Sequence, residues 1–125
     1  MNASASPLVM VAASTEAALR LYASHLQPSG CVIVTANSME DLARRLETMP
    51  ELPAVIVLDI PMRRTTDLDA LRRVQANRYT GAVPMIFLDG GESPNGASSA
   101  SFAAVLPKPV TASQLLEVIS RLSSR

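Results

Sequence analysis

Apolar and polar residues alternate along this chain in blocks. Five apolar runs of strand length, at residues 8–13, 31–35, 54–59, 83–89 and 103–106, are separated by stretches that are polar or whose apolar positions recur every three or four residues. The central run, Ala54-Val55-Ile56-Val57-Leu58, is apolar at every position and ends in Asp59. A strand with no polar alternation suits a parallel sheet covered on both faces. Ser14 or Thr15 can cap a first helix carrying Ala18, Leu19, Leu21, Tyr22, His25 and Leu26, which Pro28-Ser29-Gly30 stops. Asn37 or Ser38 can cap a second, with Leu42, Leu46 and Met49 as its buried stripe and Arg44, Arg45 and Glu47 facing outward. Asp67 can cap a third helix carrying Leu68, Leu71 and Val74, on which Arg72 and Arg73 form a solvated face. Thr111 caps the last, with Gln114 in capping-box position and Leu115, Leu116, Val118, Ile119 and Leu122 on one face.

Residues 90–101 break the pattern. Gly, Ser, Asn and Pro dominate there and no apolar stripe is visible, so a helix in this segment is expected to be short or absent. The rest is strict β and α alternation, which with right-handed crossovers predicts a parallel sheet with helices on both faces. The pattern does not specify strand order, and no internal repeat is present. At 125 residues the chain suits one domain spanning 1–125, with residues 1–7 expected to fray.

Composition narrows the function. Aromatics make up 3% of residues and Trp is absent, so the core must be built from Leu, Val, Ile, Ala and Met. A formal net charge of zero argues against a broad nucleic-acid-binding face and against attraction to an anionic membrane. The single cysteine, Cys31, has no disulfide partner in the chain and reads as a small buried residue in a reducing compartment. The N-terminal apolar run is short and no positive charge precedes it, which fits neither a signal peptide nor a membrane span and points to the cytoplasm. His25 has no acid or cysteine at ligand spacing, and no nucleophile and base pair can be assembled, so an enzyme is not expected.

Three charged residues fall at predicted strand ends: Asp59, Asp89 and Lys108. Carboxyl ends of parallel strands lie along one edge of the sheet, where ligands and chemistry collect in open α/β folds, so the three can converge. Lys108 is the only lysine in the chain and stands between Pro107 and Pro109. A lone lysine so flanked reads as a positioned charge.

The strand at 8–13, the strand ending in Asp59, the Pro84-led strand and Leu106-Pro107-Lys108-Pro109 before a capped helix together resemble the receiver domain of two-component response regulators, over essentially the whole chain. The resemblance implies a flavodoxin-like, doubly wound five-stranded sheet of order 2-1-3-4-5, here with the fourth helix short or degenerate. It implies that Asp59 is the position that accepts a phosphoryl group from a histidine kinase, and that Lys108 pairs with that group or with the Asp. Receivers also carry two acidic residues at the end of strand one that help to hold Mg²⁺. Ala12 and Ala13, or Ala13 and Ser14 with a shifted register, stand there instead. Asp89 replaces a Ser or Thr that hydrogen-bonds the phosphoryl oxygens, and Val105 replaces the switch aromatic of strand five.

These departures imply a pseudo-receiver with no metal site, in which Lys108 pairs with Asp59 and Asp89 in a permanent charge cluster. The expected role is a protein-interaction module that docks on a partner protein or an attached output domain, with no direct nucleic-acid or membrane binding and with a homodimer left open. One alternative keeps Asp59 as a working phosphoacceptor, which would require Mg²⁺ and a histidine kinase. Another has Asp59 and Asp89 bind a divalent ion in a rearranged geometry. A third is a flavodoxin-like small-molecule-binding domain, for which Ser14-Thr15 offers a meagre phosphate cradle and no aromatic stands ready to stack on a flavin.

Overall fold

The computed structural model describes residues 6–91 and 102–123. In chain order these form β1 (Leu8–Ala13), α1 (Glu16–Leu26), β2 (Val32–Ala36), α2 (Met39–Thr48), β3 (Val55–Asp59), α3 (Thr65–Ala76), β4 (Met85–Asp89), β5 (Ala104–Pro107) and α4 (Ala112–Ser123). The five strands pair in parallel in the order β2-β1-β3-β4-β5. This is the flavodoxin-like order implied by the receiver resemblance. Of the segment 90–101 expected to hold a short or missing helix, residues 92–101 lie outside the described residues, as do residues 1–5 of the N-terminus expected to fray. Pro7, at the end of that N-terminus, has its carbonyl engaged by the Val32 amide at 2.9 Å.

Side chains of a strand alternate between faces, and the alternation divides the core in two. Met10, Ala12, Ile56, Leu58, Met85 and Phe87 join α2 and α3 in one buried cluster. Val9, Val11, Val55, Val57, Ile86 and Leu88 join Tyr22 and Leu26 of α1 and Leu115, Val118 and Ile119 of α4 in the other. Val55 to Leu58 of the central strand are wholly buried, as an unbroken apolar run requires. Scarce aromatics are used in contact: Phe102 returns the chain to the sheet and stacks on Phe87, ring centroids 4.9 Å apart.

Local sequence sets the helix starts. Thr15 caps α1 by accepting the Ala18 amide, and Ser38 caps α2 by accepting the Asp41 amide. Thr111 and Gln114 exchange reciprocal bonds of 3.1 and 2.9 Å at the head of α4. Asp67 is not the cap of α3. The helix begins two residues earlier, and Asp67, inside the first turn, uses its carboxylate to accept the Arg64 amide at 3.3 Å. An acid in the first turn complements the helix dipole as well as a cap does, so sequence alone shows the start without its register. Two burial expectations also change. Leu21 is 51% exposed, because the stripe of α1 that faces the sheet runs through Tyr22 and Leu26. Cys31 is half-buried, since it precedes an edge strand, and its Sγ lies 3.2 Å from the Ser29 hydroxyl.

Candidate functional site at the carboxyl edge of the sheet

The connections out of β1 and out of β3 run to opposite sides, so a crevice opens above their carboxyl ends. Asp59 ends β3 in that crevice. Alternation continues Val55 and Val57 into Asp59, directing it to the α1 and α4 face. The loop beyond it is fixed by Met62, which is wholly buried and has a left-handed backbone (φ 61°), a conformation that costs a non-glycine residue about 1 kcal/mol or more.

Lys108 arrives from the other side. Its amide donates to the Asp89 carbonyl at 2.9 Å, continuing the β4–β5 ladder by one residue, and its peptide bond to Pro109 is cis. Its stem passes the Cα of Gly90, and its Nζ reaches Asp59 Oδ1 at 2.7 Å. The aspartate side chain is 11% exposed and the lysine 40%, so the pair sits at the rim of the crevice with its acid sunk and its base half in solvent.

The second carboxylate oxygen is also taken. Tyr22 of α1 donates its phenol to Asp59 Oδ2 at 2.6 Å. Side chains on a helix lean toward its N-terminus, and α1 starts at the carboxyl edge of the sheet, so a tyrosine two turns into the helix points its hydroxyl back up to that edge. Burial, then the hydrogen bond to Asp59 and the charge of its carboxylate, push the phenol well above its ordinary ionisation range, so it is a donor throughout the neutral range. Sequence reading placed Tyr22 on the apolar face of α1 without giving its hydroxyl a role. The available signal was that a buried tyrosine hydroxyl needs a partner.

Asp89 ends β4 on the other parity. It follows Met85 and Phe87, which face α2 and α3, and its Oδ1 accepts the Gly91 amide at 2.8 Å. Ala12 and Ala13 are wholly buried at the end of β1, and Ala13 is the register partner of Asp59. Val105 packs half-buried against the cluster that contains Phe87. The structure thus brings together Asp59, Lys108, Ala13 and Tyr22. His25 and Cys31 lie at the opposite, amino-end edge, in the last turn of α1 and just before β2.

No protein-family model matches the sequence, and no curated protein matches it significantly. Solved structures do match the fold. A CheY-like response regulator receiver domain protein from Methanospirillum hungatei aligns with a TM-score of 0.80 at 18% identity, covering 94% of each chain. A signal receiver domain of a signal transduction histidine kinase from Syntrophus aciditrophicus aligns at 0.81 and 16% identity, over 95% of this chain and 91% of that one. A response regulator receiver domain protein from Clostridium thermocellum aligns at 0.77 and 24% identity, over 95% of both chains. At these identities the likeness is one of fold.

Proposed function

We propose that the chain is a receiver-type module of two-component signalling that acts by protein contact, with Asp59 held by Lys108 instead of being cycled through phosphorylation. The observation that carries this reading is the 2.7 Å Asp59–Lys108 pair next to Ala13, the register neighbour of Asp59. By the receiver resemblance, Asp59 and Lys108 match the acceptor and the lysine, whereas the positions matching the acidic pair, Ala12 and Ala13, hold two buried methyl groups.

The donor set speaks against a resident Mg²⁺. That ion asks for hard oxygen ligands in near-octahedral geometry, and receivers meet it with three carboxylates. Asp59 supplies one, already bonded through both oxygens, and Ala12 and Ala13 supply none. Among the described residues no group of three His, Cys, Asp or Glu side chains is arranged to hold a metal. Without the cation, the charge developing on a transferred phosphoryl group loses its main neutraliser.

The partner is accordingly a protein or an attached output domain, and the module has no chemistry of its own: His25 and Cys31 sit at the edge away from Asp59. Among the described residues no helix is long and apolar enough to cross a membrane. The test is incubation with acetyl phosphate or beryllofluoride and Mg²⁺, read by intact mass and fluorine NMR. No adduct is expected. An adduct on Asp59 would establish the rival reading, a working phosphoacceptor.

A further inference from the structure

We propose that Tyr22 is a positioning residue that closes Asp59, its phenol occupying the carboxylate oxygen that Lys108 leaves over. The inference rests on the reading of Asp59 as a held, uncycled carboxylate and adds what holds it. The two bonds divide the carboxylate: Lys108 Nζ takes Oδ1 at 2.7 Å and the Tyr22 hydroxyl takes Oδ2 at 2.6 Å. They differ in kind. The lysine is a flexible, half-exposed cation that solvent can replace. Tyr22 is 7% exposed, and its ring belongs to the cluster formed by Leu26 of α1, Leu115, Val118 and Ile119 of α4, and Val55 and Val57 of β3. Its hydroxyl cannot leave Asp59 without a shift of α1 or a rotation of a packed ring.

The consequence is a site closed from inside the fold. A cation or an electrophile approaching Oδ2 meets a neutral phenol, its proton kept on by burial and the adjoining carboxylate, and the packing of its ring opposes its exchange for water. Tyr22 thereby gives the lone carboxylate a partner on the side where β1 supplies only Ala13. It also ties the state of Asp59 to α1.

The test compares the parent with Tyr22→Phe, which keeps the ring and its packing and removes the hydroxyl alone, and with Leu19→Ala, which loosens the same helix and leaves the hydroxyl in place. Each is treated at mildly acidic pH with a water-soluble carbodiimide and an amine, without Mg²⁺ or phosphodonor, and modification of Asp59 is followed by peptide mass spectrometry against the exposed Asp69 as internal reference. The hydroxyl is a hydrogen bond to a charged acceptor, and its loss is expected to accelerate modification of Asp59 roughly tenfold. Leu19→Ala is expected to lower the melting temperature and leave the Asp59 rate as in the parent. An unchanged Asp59 rate in Tyr22→Phe would overturn the proposal, as would an equal acceleration in Leu19→Ala, which would reduce Tyr22 to general packing. Because the assay uses neither metal nor phosphodonor, its outcome is separate from the acetyl phosphate experiment: a phosphorylated parent overturns the proposed function, and an indifferent Tyr22→Phe overturns the lock.

Discussion

Ala13 and Asp59 are register partners across the β1–β3 ladder, and the alanine is wholly buried. A carboxylate at position 13 would stand beside Asp59 in the crevice. Ala13→Asp is therefore expected to destabilise the metal-free protein, on the order of 3 kcal/mol for a buried like charge. Mg²⁺ should restore part of that loss, since two adjacent carboxylates begin to form the oxygen set the ion needs. Thermal melts with and without MgCl₂ check both. The parent's midpoint is expected to ignore the metal, and an Mg²⁺-induced rise in the parent would contradict a metal-free site.

The Asp59–Lys108 pair is half in solvent, and its contribution to stability is expected to be modest. A double-mutant cycle with Asp59→Asn and Lys108→Ala, read by urea unfolding, should give a coupling energy of about 0.5–1 kcal/mol that shrinks in high salt. A coupling near zero would mean that the contact places charges without stabilising the fold.

Tyr22 predicts the alkaline limb of stability. Its folded-state ionisation lies above the ordinary tyrosine value of 10.0, so its contribution is fully present below that value and is lost as pH rises beyond it. The parent should therefore lose melting temperature more steeply above about pH 10 than Tyr22→Phe does. In Asp59→Asn the carboxylate's charge is removed and burial remains, so Tyr22 should ionise at lower pH than in the parent yet above 10.0. Absorbance titration of the tyrosinate follows both changes.

Asp41 predicts the acid limb. It lies in the first turn of α2 and is nearly buried, which by itself raises its pKa. The Asn37 amide, Arg45 and Arg44 outweigh that and hold its carboxyl below the ordinary 3.8. Its stabilisation is thus present above 3.8 and is lost as pH falls through the lowered value. Asp41→Asn should cost about 1–2 kcal/mol at neutral pH, through loss of charge-assisted bonds at a helix start. The difference from the parent in urea midpoint should narrow progressively toward pH 3, about the lower end of the usual carboxylate range.

The period of apolar residues and the capping residues beside it determined the five strands, the parallel sheet, the helix start at Thr111 and two further starts to within one residue (Ser14 or Thr15, Asn37 or Ser38), because these depend on local backbone geometry and on which face must leave water. The period also placed Asp59, Asp89 and Lys108 at one edge, since every parallel strand ends there. Tertiary structure alone decided how they meet. Alternation along β3 and β4 sends Asp59 and Asp89 to opposite faces, and the Lys108 side chain crosses Gly90 to reach Asp59. Tyr22 shows the limit most clearly. A helical stripe says that a residue is buried, but which carboxylate a buried phenol finds depends on how α1 docks on the sheet, a relation between residues 37 positions apart that local propensity does not encode.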